Sequence, residues 1–170
     1  EWPSDQSHPK ASVILCLRGS DPYLEDTLRA LLAQDYESYD AHLIIDSRQD
    51  PAWATVERIL KDVENPACRV FVNELIDKPE TCSLKNASLL QAVTQLEDDC
   101  KIVAILDSDT LPHTQWLRQL IAPFQDPSVG VATGNRWFAP REYKVGTILR
   151  YLWNAAAISQ MYFYKIVWGG

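Results

Sequence analysis

The stretch Ile102-Val103-Ala104-Ile105-Leu106-Asp107-Ser108-Asp109 decides how the chain is read. Five apolar residues, without glycine or proline, end on two carboxylates separated by a small serine. A short, β-branched apolar run of this kind is the pattern of a buried strand. In extended backbone, residues two apart point the same way, so Asp107 and Asp109 face one side at the strand's end.

Working back toward the N-terminus, the same grammar repeats. Ala11 to Leu17 is apolar and breaks at Arg18-Gly19-Ser20-Asp21-Pro22. Leu24, Leu28, Leu31 and Leu32 then recur at helical spacing, with Asp21 and Pro22 suited to a helix start. Ala41 to Ile45 is a second apolar run, closed by Asp46-Ser47-Arg48-Gln49-Asp50-Pro51, and Trp53, Val56, Ile59 and Leu60 follow with a helical period. Arg69 to Val72 predicts a third strand, Ser83 to Leu96 a third helix, and Ile102 to Leu106 the fourth strand. Strands alternating with helices imply right-handed βαβ units in an α/β fold, a mainly parallel, doubly wound sheet with flanking helices. Ligands of such sheets sit at the carboxyl ends of the strands. The loops of interest therefore follow Leu17, Ile45 and Leu106, and each carries an aspartate.

Composition bounds the function. At 170 residues, 46% hydrophobic and 23% charged, the chain suits one core of ordinary size. A net charge of -7 without a basic stripe argues against nucleic acid as a partner. Cys16, Cys68, Cys82 and Cys100 form no CxxC pair, and His8, His42 and His113 show no HxxH or HExxH spacing, so a zinc site or disulfide scaffold is not indicated. His113 stands out only for lying near the aspartate pair. Residues 1–10 read as a polar tether without signal-peptide character, 11–146 as the core, and 147–170 as an aromatic-rich segment.

Two carboxylates on one side of a strand end make a hard-oxygen site for Mg²⁺ or Mn²⁺, completed by water and diphosphate oxygens. The plain alternative is that Asp107 and Asp109 cap the turn Thr110-Leu111-Pro112. Position at the end of a buried strand favours the metal site.

The stretches I-L-D-S-D-T-L-P (105–112), W-L-R-Q-L-I-A-P-F (116–124) and V-G-V-A-T-G-N-R-W-F (129–138) resemble the core of glycosyltransferase family 2, of the GT-A fold. The stretches L-R-G-S-D-P-Y-L-E-D-T-L (17–28), L-L-A-Q-D-Y-E-S-Y-D (31–40) and I-I-D-S-R-Q-D-P-A-W (44–53) resemble ceramide glucosyltransferase-like members most. The likeness runs from about Val13 to Gly170. It implies transfer of a sugar from a nucleotide diphosphate sugar, most often UDP-linked, to an acceptor that is commonly a lipid.

Carried over residue by residue, the resemblance assigns Arg18, Gly19 and Asp46 to the nucleoside, with Asp50 as a second candidate. It assigns Lys85 and Asn86 to the neighbourhood of the diphosphate, Asp107 and Ser108 to the nucleotide sugar, and Asp107 and Asp109 to the metal. Gly134 to Phe138, after a strand-like Val129 to Thr133, corresponds to the lining of the donor sugar and acceptor region. Asp50 also reads as a helix cap before Pro51, and Lys85 as a solvated helix residue.

The family's general base lies in an acidic loop expected beyond Gly170, so no base is named and the fragment is expected to bind donor with little turnover of its own. Thr147 to Trp168 suits either a membrane interface or a helix covered in the complete enzyme, and is too polar at Asn154, Ser159 and Gln160 to span a bilayer. The resemblance places the whole protein at the cytoplasmic face of a membrane. Two other readings stand beside it: a donor-binding module without activity, and a phosphatase of the haloacid-dehalogenase type, whose paired aspartates also bind Mg²⁺. The latter normally carries its motif after the first strand of the domain, whereas about three strands precede Asp107.

Overall fold

The computed structural model describes residues 8–63, 65–138, 142 and 144–164, with side chains through residue 160. They divide into two compact units, 1–125 and 126–170. The division falls ahead of the 146/147 boundary read from composition.

In the first unit, β1 (Ala11–Leu17), β2 (Tyr39–Ile45), β3 (Cys68–Glu74) and β4 (Ile102–Leu106) alternate with α1 (Leu24–Leu32), α2 (Ala52–Asp62) and α3 (Leu84–Thr94). The sheet is parallel, in the order β3-β2-β1-β4. From β1 the chain steps outward through β2 to β3, then returns across both to place β4 on the other side of β1. Right-handed crossovers put helices of outward and returning steps on opposite faces. Packing follows that rule. Leu28 and Leu31 of α1 and Val56 and Ile59 of α2 join Val13, Leu15, Leu43 and Ile45 in the larger core. Ala87 and Ala92 of α3 pack on Ile14 and Ile44, which point the other way. A short α4 (Trp116–Ile121) adds Leu117 and Ile121 to the larger core. Each fully buried aliphatic side chain of this kind contributes about 1.5–3 kcal/mol of transfer free energy.

β2 begins at Tyr39, two residues earlier than its apolar run predicts, because two polar residues are buried with partners. The Tyr39 hydroxyl donates to the Leu31 carbonyl at 2.7 Å. Asp40 accepts from Arg69 Nε and Nη2, both at 2.8 Å, and has Lys10 Nζ at 3.5 Å. A buried carboxylate is tolerated when paired and hydrogen-bonded in this way.

Of the tether read over residues 1–10, residues 1–7 lie outside the described residues; residues 8–10 are held to the fold. Pro9 accepts from the Tyr36 hydroxyl at 2.6 Å, and Lys10 bonds Glu97 and Asp99 at 2.6 and 2.8 Å.

In the second unit α5 (Val145–Tyr164) is the one regular element among the described residues. Val129 to Thr133, expected as a strand, is irregular. A strand needs a neighbour for its backbone groups, and among the described residues none pairs with it. No helix of the described residues is long and apolar enough to cross a membrane. The last part of the segment read over Thr147 to Trp168, from residue 165 on, lies outside the described residues.

Candidate functional site at the switch point of the sheet

β1 and β4 lie side by side where the strand order reverses, the place at which parallel sheets take ligands at the carboxyl ends of their strands. The register brings the predicted loops to that end, since Leu17 pairs with Ile45 and Leu15 with Leu106. Arg18, Asp46 and Asp107 each follow directly on the last residue of a strand.

Gly19 turns the chain after β1 with φ of 78°, in the left-handed region that favours glycine. Its N–H donates to both carboxylate oxygens of Asp50, at 3.1 and 2.9 Å. Asp50 Oδ1 also accepts the Ala52 N–H at 2.8 Å, at the start of α2. Asp50 therefore anchors the first-strand loop and caps a helix, and both functions use its carboxylate.

Asp46 is mostly buried, with Arg18 Nε at 3.7 Å from Oδ2 and Lys78 Nζ at 3.2 Å from Oδ1. Oδ1 is shut off from solvent and makes no aligned hydrogen bond, so Lys78 serves it as a counter-ion only. The Asp46 N–H is held by the Leu17 carbonyl at 3.0 Å. Beside Asp46, Arg48 lies over the Trp53 ring at 4.2 Å, its N–H donates to Glu74 at 3.0 Å, and Trp53 Nε1 donates to the Ser47 carbonyl at 2.6 Å. These bonds give the loop after β2 a fixed, aromatic-backed shape.

At the end of β4, Lys85 Nζ meets Asp107 Oδ1 at 2.5 Å. Lys85 sits in the first turn of α3, where Ser83 caps the helix by accepting the Asn86 N–H at 3.2 Å. Asn86 is thus placed by its backbone, and its side chain lies at an exposed position. The loop Asp107-Ser108-Asp109 is tied from below: Thr27 of α1 donates to the Ser108 carbonyl at 2.9 Å, and the Thr110 N–H closes a turn onto the Asp107 carbonyl at 3.1 Å. Asp109 is exposed. The Cys16 thiol, nearby on β1, has its pKa pushed up by burial.

Among the described residues no group of three or more His, Cys, Asp or Glu is placed to hold a metal. β4 ends at Leu106 and the turn over 107–110 takes Asp107 and Asp109 out of extended backbone, so strand alternation does not set their directions. A cation held by both would take its remaining oxygens from diphosphate and water, which suits Mg²⁺ or Mn²⁺. The donor set fits a metal that arrives with its substrate.

Sequence reasoning missed Thr27 and Lys78. Thr27 left a trace, a polar residue on the otherwise apolar face formed by Leu24, Leu28 and Leu31. Lys78 left none, lying in an irregular loop between β3 and α3. Gly134 to Phe138 belong to the second unit, where Trp137 meets Tyr151 edge-on at 5.5 Å and Arg150 lies 5.7 Å from the Phe138 ring centre.

The sequence model of glycosyl transferase family 21 matches residues 2–164. No curated protein sequence matches the chain. Among solved structures, Mannosyltransferase PcManGT from Pyrobaculum calidifontis, in complex with GDP-Man and Mn2+, aligns with a TM-score of 0.59 and 21% identity, over 72% of this chain and 34% of its own. S. aureus TarS 1-349 aligns with a TM-score of 0.53 and 20% identity, over 77% of this chain and 40% of its own. Structures of the latter in complex with UDP-GlcNAc and with UDP align similarly. These likenesses place the parallel sheet and its helices in the GT-A architecture. The chain spans about a third of the mannosyltransferase's length and two fifths of TarS 1-349.

Proposed function

Because this chain belongs to glycosyl transferase family 21, we propose that it is the donor-binding part of a glycosyltransferase that moves a sugar from a nucleotide diphosphate sugar to an acceptor. Where the sequence motifs read as family 2, the matching model is that of family 21. The observation that carries the proposal is the convergence of Arg18-Gly19, Asp46, Lys85 and Asp107-Ser108-Asp109 on the switch point of one parallel sheet.

Roles follow from chemistry. Asp46, at the end of β2 between Arg18 and Lys78, lies toward the base, and the loop of Arg48 and Trp53 flanks it. An acceptor-only carboxylate suits the imide N–H of uracil as it does the N1–H and amino group of guanine. We propose UDP because the family resemblance is to enzymes whose donor is most often UDP-linked. Arg18 and Gly19 border the nucleoside, held by Asp50, while Lys85 and Asn86 lie toward the diphosphate. Asp107 and Asp109 hold a divalent cation, Mg²⁺ or Mn²⁺, that supplies positive charge opposite the leaving diphosphate.

The acceptor we propose is a lipid, in keeping with the ceramide glucosyltransferase-like motifs. On α5, Val145, Leu149, Leu152 and Trp153 recur at helical spacing and are all exposed, Trp153 to 81%. Residues 126–170 carry five Lys or Arg against two Asp or Glu, in a chain whose net charge is -7. Exposed tryptophan and leucine with basic neighbours are the composition of a membrane-surface helix.

Titration calorimetry of UDP, with and without Mn²⁺, tests the reading on the chain and on Asp109→Ala. UDP is expected to bind only with the metal and to lose that binding in the variant. Metal-independent binding, or none, refutes the donor site, and tighter binding of GDP than of UDP refutes the choice of base. A donor-binding module without activity is separated from the enzyme by turnover of UDP-sugar in the full-length protein.

A further inference from the structure

We infer that Lys85 holds the place of the divalent cation on Asp107 until a diphosphate arrives, so that metal and nucleotide bind as a pair and neither binds well alone. The inference rests on Asp107 being a metal ligand. Lys85 Nζ lies 2.5 Å from Asp107 Oδ1, a carboxylate of the predicted metal site. A monovalent and a divalent cation sharing one carboxylate oxygen would sit within about 5 Å of each other, where their repulsion is strong. Metal binding at the Asp107 oxygen that Lys85 occupies therefore requires the ammonium to leave.

Lys85 is built to swing. Its backbone is fixed at both ends of the residue's surroundings: Ser83 caps the helix turn that contains it, and its own carbonyl accepts from the Cys16 thiol at 3.9 Å. Its side chain is 52% exposed, so the four-carbon stem can reorient without disturbing the core. Among the described residues Asp107 is the carboxylate to which Lys85 bonds. With metal alone, the displaced ammonium gives up that partner. With a diphosphate present, the phosphate oxygens take over as its anion, and Asp107 is released to the metal.

Linkage then makes the effect reciprocal: the factor by which diphosphate strengthens metal binding equals the factor by which metal strengthens diphosphate binding. Lys85 contributes to that factor twice, by opposing metal alone and by binding diphosphate in the ternary state.

The test measures Mn²⁺ binding, by electron paramagnetic resonance of the free ion, to the wild-type chain, Lys85→Met and Lys85→Arg, each with and without UDP. Protein-free titrations account for Mn²⁺ held by UDP. Lys85→Met is expected to bind Mn²⁺ alone about two- to fivefold more tightly, the equivalent of one exposed ion pair. The mutual enhancement by UDP is expected to shrink by at least the same factor, whereas Lys85→Arg, which keeps the charge, retains it. Lys85→Met binding Mn²⁺ alone no more tightly than wild type, or an unchanged enhancement, overturns the role of Lys85. If the wild type binds no Mn²⁺ even with UDP, the donor-site reading fails and takes this inference with it.

Discussion

Replacing Asp50 with alanine tests whether this carboxylate acts mainly by holding the loop after β1. It accepts two backbone donors, the Gly19 N–H at 2.9 and 3.1 Å and the Ala52 N–H at 2.8 Å. Hydrogen bonds to a charged acceptor contribute about 1.5–3 kcal/mol each when well buried. Asp50 is only partly buried, which lowers this to about 1–1.5 kcal/mol per donor, and the sum is about 2–3 kcal/mol. Loss of a helix cap alone costs about 1 kcal/mol, so the excess reports the Gly19 contact. For a chain of this length each kcal/mol moves Tm by about 2–4 °C, and Asp50→Ala is expected to lower Tm by about 5–10 °C. Asp50→Asn keeps one acceptor oxygen and should lose about half as much. Thermal unfolding followed by circular dichroism measures both variants. Asp50→Ala as stable as wild type would refute the anchoring role, and so would Asp50→Asn losing as much as alanine.

Thr27→Val keeps shape but withdraws the hydroxyl from the Ser108 carbonyl, a 2.9 Å bond. It should cost about 1 kcal/mol of stability and weaken Mn²⁺-dependent UDP binding; calorimetry showing unchanged affinity would remove Thr27 from the site's support. His42 is buried in β2, stacked on Phe71 at 4.9 Å, and burial lowers its pKa from 6.5. The charged groups around it are Asp40, Arg69, Glu97 and Lys10, of mixed sign. The unfolded chain takes up this proton more readily than the folded one, so stability is full above about pH 6.5 and declines as pH falls through the folded value. Replacing His42 with leucine should flatten the dependence of Tm on pH between about 7.5 and 5.5, and an unaltered slope would exclude His42 as its source.

The order of strands and helices was legible because it rests on local periodicity. Ala11–Leu17 and Ile102–Leu106 form strands with the predicted bounds, and α1 buries the leucines that announced it. Legibility failed where polar residues were buried or apolar ones unpaired. Asp40 lies inside β2 because Arg69 meets it across the β2–β3 register, a pairing no local pattern reports. Val129 to Thr133 has the composition of a strand and no neighbour among the described residues.

The aspartates divide along the same line. By itself the sequence determined that Asp46, Asp50, Asp107 and Asp109 would collect near strand ends, since apolar runs stop where charge begins and parallel strands end together. Only the tertiary structure decided what each one faces. Asp50 bonds Gly19, 31 residues away, and Asp107 bonds Lys85, 22 residues away. Asp46 faces Lys78 from a loop with no periodicity. Crossover direction and sheet register set those distances, and both are properties of the whole sheet that no window of sequence contains.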